Sequence, residues 1–167
     1  MYSNILVALD GSDTSSGALD AALNLASVTG ARLTPVYVVD FLVPAYDTYG
    51  YNPSIRIDAF REEGLRVMED AAKRMKARDV AGTPQISNVA PAGEDVAQRI
   101  VRLAGEIDAD LIVIGTRGWR GFQRLFLGSV AERVLRQAAC PVLMIPGSCA
   151  GNATEETTVA STEKEPS

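Results

Sequence analysis

Residues Gly115 to Val130 read GTRGWRGFQRLFLGSV: four glycines, three arginines and no acid, in a chain whose formal net charge is −5. Two chemistries suit such a stretch. Glycines let a backbone take positive φ and approach a ligand closely, because no Cβ intervenes. Arginines offer fixed forks of donors to phosphate or carboxylate. Ser129 adds a hydroxyl where a helix begins and unpaired N–H groups favour an anion. Together these residues describe a phosphate cradle. The plain alternative is a connection with a solvated cationic face. In that case Ser129 to Glu132, SVAE, is a capping box in which the helix satisfies its own first donors. The stretch is neither a Walker A sequence nor a dinucleotide fingerprint after the first strand.

Other reactive groups are few. The chain has no histidine, which excludes Ser-His-Asp and Cys-His nucleophiles and imidazole metal ligands. Asp10 and Asp13, beside the end of the first apolar run, are the acids nearest the loop; Asp10, ahead of Gly11 and Ser12, also suits an Asx turn. Cys140 and Cys149 give neither a disulfide framework nor zinc-ligand spacing. Cys140 reads as a reduced, structural thiol.

The elements that must carry these residues follow from periodicity. NILVALD (Asn4 to Asp10) is a buried-strand run closed by the turn cluster DGSDTSS. Ala18, Ala22, Leu25 and Ala26 recur at helical spacing, and Gly30 sits where that helix should stop. ARLTPVYVVD is a second strand, with Pro35 expected to confine regular pairing to its later part. A long connection from Asp40 to about Pro53 holds Phe41, Tyr46, Tyr49 and Tyr51, with the tyrosines read as packing residues of a lid. From about Ser54 to Arg78, the residues Ile57, Phe60, Val67, Met68, Ala71 and Met75 mark one face of a helix. PQISNVAP is weakly apolar and suits a sheet edge. In GEDVAQRIVRLAGEI, Glu94 and Asp95 favour a helix N-terminus, and Val96, Ile100, Val101, Ala104 and Ile107 form the expected buried stripe. ADLIVIG is the clearest strand. After the glycine loop, Val130, Ala131, Val134, Leu135 and Ala138 share one side of a last helix, and CPVLMIP closes the set.

Five short apolar strands alternating with four helices predict an α/β domain, a parallel sheet covered on both faces in three layers. A length of 167 residues allows one such domain with a sizeable core. Residues 1–146 make up this domain. Residues 147–167 are polar and aperiodic and read as an acidic, disordered tail: four glutamates against one lysine account for −3 of the −5. The acidic balance argues against nucleic acid or an anionic membrane as partner. No apolar run approaches the roughly 20 residues of a membrane-spanning helix, and the start shows no secretory leader. A cytoplasmic location is expected.

The spacing G-x2-G-x9-G-[ST], from Gly115 through Gly118 to Gly128 and Ser129, carries a more specific resemblance. Together with NILVALDGS, DLIVIGTRG and CPVLMIP it resembles the universal stress protein family, in its ATP-binding branch, over roughly residues 2 to 146. The resemblance implies a five-stranded parallel sheet in order 3-2-1-4-5, a fold like that of the adenine nucleotide α-hydrolases, and ATP across the strand ends. By position, Asp10 corresponds to an aspartate near adenine and ribose. Ala8 and Leu9 supply backbone beneath the nucleotide, and Val38 offers backbone to the adenine edge. Ile114 and Gly115 line the ribose side, and Gly118 forms the turn near the phosphates. Gly128, Ser129 and Val130 meet the β- and γ-phosphates. Mg2+ is implied as a bridge between phosphate oxygens. Thr116 and Arg117 stand where the family often has serine or histidine.

The last strand would lie at a sheet edge with apolar residues on both faces, which favours pairing with another chain. A homodimer through Val142, Leu143, Met144 and Ile145 is therefore expected. Three functions stay open at this point: an ATP-binding regulator of a stress response, a slow ATPase, or a nucleotide-independent interaction module. The intact glycines favour the first two, and the lack of an evident base favours binding over catalysis.

Overall fold

The computed structural model describes residues 1–40, 53–90, 93–116 and 127–147, with side chains throughout these except at 53–59. In chain order the elements are β1 (Asn4–Leu9), α1 (Asp13–Thr29), β2 (Arg32–Val39), α2 (Pro53–Ala77), β3 (Gln85–Asn88), α3 (Val96–Glu106), β4 (Leu111–Gly115), α4 (Ser129–Gln137) and β5 (Val142–Ile145). The strands form one sheet in the order β3-β2-β1-β4-β5. Every neighbouring pair is parallel. The tyrosines at 46, 49 and 51, the arginines at 117, 120 and 124, and the tail after Gly147 lie outside the described residues.

Parallel strands buried on both faces need apolar side chains in unbroken succession, and β1 shows why. Ile5, Val7 and Leu9 enter one core with Leu19, Leu23, Leu33, Met68 and Ala71 from the α1 and α2 side. Leu6 and Ala8 enter the other, with Ile100, Leu103, Ile112, Ala131 and Val134 from the α3 and α4 side. Helix α1 starts at Ser12, whose side chain accepts from Ser15 N–H, and ends at Gly30 with φ 72°. That left-handed stop is where glycine is least costly.

Three expectations need correction. Pro35 does not confine β2 to its later part: β2 pairs with β1 from Arg32 onward, Pro35 lying opposite Val7. Arg32 donates to Ser3 across β1, whereas Leu33 donates to Ala81 on the other side. Alternation then turns the missing N–H of Pro35 toward β3, which begins only opposite Val36. The buried stripe of α3 is Ala97, Ile100, Leu103 and Ala104, with Val96, Val101 and Ile107 half-buried at its margins. The stripe is turned because α3 packs on β2 and beside α4 together. Leu135 is 49% exposed; with Ala131 and Val134 pressed onto the sheet, a residue one step beyond Val134 falls on the flank.

Helices α1 and α2 are also clasped at their outer edge. Asp20 Oδ1 accepts from Arg74 Nη2 at 2.6 Å and from Arg78 Nη2 at 3.0 Å, and Arg78 Nη1 reaches Asn24 Oδ1 at 2.9 Å. The hydrogen bond from Arg74, then the two guanidinium charges, hold the Asp20 carboxyl below its ordinary range against the opposing effect of burial. A carboxylate lowered in this way stabilises the fold above its unfolded pKa, and the gain disappears as pH falls through the folded value. Because Asp20 is half-exposed, Asp20→Asn should cost no more than about 1 kcal/mol near neutral pH. Urea titrations of both chains should show that gap closing below the ordinary aspartate value of 3.8.

Candidate functional site

The crevice forms where the chain leaves two adjacent strands in opposite directions. β1 and β4 are neighbours, Ala8 lying opposite Ile114. The chain passes from β1 into α1 on one face, while β4 is followed by α4 on the other. The parting opens the carboxyl edge of the sheet, the usual ligand position of open α/β folds.

Four of the candidate residues meet on one side of this edge. Ala8 and Ile114 are buried in the core facing α3 and α4, and Val38 and Val130 are half-buried against it. Ala8 is the small member, between Val36 on β2 and Ile114 on β4, so the floor dips at the centre of the sheet. Leu9 points the other way, into the core of α1 and α2, and only its backbone faces the crevice side. Gly118 lies outside the described residues, as do Trp119 and Phe122.

Asp10 forms the Asx turn that the sequence allowed. Its Oδ1 accepts from Ser12 N–H at 3.0 Å and from Ser12 Oγ at 2.6 Å. Gly11 follows with φ 81°, a conformation that side chains resist. Helix α2 backs this turn: a Cβ on Gly11 would stand 3.0 Å from Glu63 Oε1. Beneath it Tyr37 is buried; burial first, then the carboxylates of Glu63 and Asp10, raise its phenol above the ordinary value.

Gly115 has a packing duty that spacing could not reveal. A Cβ there would lie 2.8 Å from Thr14 Cγ2 and 3.1 Å from the Thr14 carbonyl carbon. The start of α1 therefore rests directly on the end of β4. On the other side of the crevice, Thr116 ties both neighbours: its N–H donates to Ile145 O at 2.9 Å, and its carbonyl accepts from Gly128 N–H at 2.8 Å. That bond closes the glycine loop at its base, and a serine or histidine backbone would serve it equally.

Helix α4 departs from the capping-box alternative. Gly128 is its N-cap and makes no side-chain cap hydrogen bond; Ser129 is already the first helical residue. The serine is thus one position too late to cap. Gly128 N–H is spent on Thr116 and Glu132 N–H on Gly128 O. The amides of Ser129, Val130 and Ala131 have no acceptor among the described residues, and these are the donors a helix leaves open. Helices α1 and α3, by contrast, are capped by Ser12 and Asp95.

A model of the universal stress protein family matches residues 1–146. The chain belongs to this family. A universal stress protein of Bacillus subtilis is 36% identical over 152 residues, covering 87% of this chain and 99% of that protein. A crystal structure of a family member from Burkholderia pseudomallei is 58% identical with a TM-score of 0.71, covering 87% and 96% of the two chains. The Archaeoglobus fulgidus member solved in complex with dAMP is 26% identical with a TM-score of 0.63, covering 86% and 98%. The family fold is the sheet order described above.

A second hollow, about 330 Å³, lies between α1 and α2 and is lined by Leu9, Ser12, Ser16, Val67, Asp70 and Arg74. Arg74 is committed there to Asp20, Asp70 and Ser16. Among the described residues no group of three or more His, Cys, Asp or Glu could hold a metal ion, and no helix is long and apolar enough to cross a membrane. Cys140 is half-buried and free; burial and then the Asp110 carboxylate push its thiol up, which keeps it protonated and unreactive at neutral pH.

Gly115→Ala should destabilise the fold by about 1–3 kcal/mol through overpacking against Thr14. Adding Thr14→Ala should recover only part of the loss in chemical denaturation, since backbone atoms of residue 14 remain 3.1 and 3.2 Å from the new Cβ.

Proposed function

We propose that this chain binds ATP with Mg2+ in the crevice between β1 and β4, and acts as a nucleotide-dependent regulator in a stress response. The observation that carries the reading is the start of α4: three amides with no cap of their own, at the switch point, in a helix pinned to β4 through Gly128 and Thr116. The nucleotide bound by the Archaeoglobus fulgidus relative supports the ligand class.

On this reading Val38 offers backbone to the adenine edge, and Ala8, Leu9 and Asp10 lie beneath the base and ribose. Ile114 and Gly115 line the ribose side, and Gly118 turns the chain near the phosphates. Gly128 leaves room for phosphate oxygens, which the amides of Ser129 and Val130 and the Ser129 hydroxyl receive. Mg2+ supplies charge neutralisation among those oxygens and is held mostly through water. Hydrolysis is at most slow. The Asx turn already occupies one Asp10 oxygen, and with no evident base to activate water, positioning and Mg2+ are left to support weak hydrolysis. Occupancy then matters as a population shift, since a ligand favours the form that it binds better.

The same reading includes a homodimer through β5. This strand pairs with β4 on one side only among the described residues. Pro141 and Ile145 turn their carbonyls toward β4, so alternation turns the backbone groups of Val142 and Met144 to the open edge.

Titration of ATP, ADP and AMP with Mg2+ by calorimetry tests the ligand; equal, negligible heats for all three overturn it. Gly128 has φ −61° and ψ 145°, a conformation valine accepts, so Gly128→Val tests space rather than fold. Loss of charged hydrogen bonds there should weaken ATP roughly ten- to hundredfold. Met144→Pro removes an outward donor while leaving the β4 ladder intact, and sedimentation should then report a folded monomer.

A further inference from the structure

We infer that Arg133 is a positioning residue for the phosphate end of the crevice, and that Asp95 holds it in place; the inference rests on the nucleotide-binding reading above. Helix α4 carries Arg133 as its fifth residue. It is nine residues long, and its first turn follows a loop that imposes no side-chain cap. Over Gly128 to Arg133, two polar ties join α4 to other described elements. One is the bond from Gly128 N–H to Thr116 O. The other is an ion pair between Arg133 Nη1 and Asp95 Oδ2 at 2.7 Å. Arg133 Nε also points at the carbonyl of Ser129, at 3.4 Å. The guanidinium therefore spans from the first residue of α4 to the cap of α3.

Asp95 divides its two oxygens. Oδ1 accepts from Gln98 N–H at 3.0 Å and caps α3, while Gln98 Oε1 accepts in return from Asp95 N–H at 2.9 Å. Oδ2 is left for Arg133. A reciprocally capped helix end is a firm anchor, and the acid it presents cannot swing away without uncapping α3. Through Arg133 this anchor fixes the direction in which the Ser129, Val130 and Ala131 amides point. Donors aimed in advance bind an anion more tightly than donors that must be ordered on binding.

Charge and position predict opposite signs for one substitution. Asp95→Asn keeps a side chain able to cap α3 but removes the ion pair. If Asp95 acted only through its charge, deleting an acid near the phosphates would tighten ATP. If it positions Arg133, the same change weakens ATP.

The test measures ATP with Mg2+ and adenosine on the full chain, Asp95→Asn, Arg133→Gln and the double variant. Each single variant should weaken ATP roughly three- to tenfold, the double should be no worse than either, and adenosine affinity should hold throughout. Tighter or unchanged ATP binding by Asp95→Asn, or independent additive losses, overturns the inference while the nucleotide reading stands. Equal losses for ATP and adenosine also overturn it, because they report a loosened fold. A wild-type chain that binds neither ligand removes the nucleotide reading itself, and the role of Arg133 with it.

Discussion

The parallel pairing of β1 with β4 is the constraint from which the rest of this molecule follows. Two strands remote in sequence are locked side by side over Ile5 to Ala8 and Leu111 to Ile114, yet the helices that follow them cover opposite faces. No connection can cross the gap between them, so an opening at their carboxyl ends is an obligation of the topology. What lines the opening is then a matter of which residues end those strands. Here they are a small side chain, a glycine and an aspartate already folded into a turn.

The architecture was legible in the sequence because the physics behind it is local. Unbroken apolar runs such as Asn4 to Leu9 mark strands that are buried twice over, and Gly30 marks a helix end that needs a left-handed residue. What escaped depends on relations between distant elements. Pro35 lies within a fully paired stretch because its absent donor faces a strand that has not yet begun, which only the neighbouring register reveals. The stripe of α3 is turned because α3 answers to two partners at once. Leu135 sits at the margin because Ala131 and Val134 fix the rotation of α4.

The candidate site divides along the same line. Ala8, Val38, Ile114 and Val130 were placed by motif, and they do share one core. The glycine at 115 was legible as a glycine but not for its reason, the approach of Thr14 at the start of α1, an element remote in sequence. The choice between a capping box and an open helix start turned on a shift of one residue at Ser129, finer than any pattern in the sequence resolves. The pairing of Asp95 with Arg133 spans 38 positions, and neither residue type nor spacing announces it.

The turn after β1 has a second neighbour. Behind Gly11 stands Glu63, and behind Tyr37 stands Gly64, where a Cβ would come within 2.9 Å of the ring. Helix α2 is thus wedged against the back of the structure whose front carries Asp10. The turn is therefore backed by side chains of α2 rather than by solvent. A side chain at position 11 would have to displace the Glu63 carboxylate as well as adopt φ 81°. Glycine at 11 thus answers to two demands at once, one of backbone conformation and one of the helix behind it.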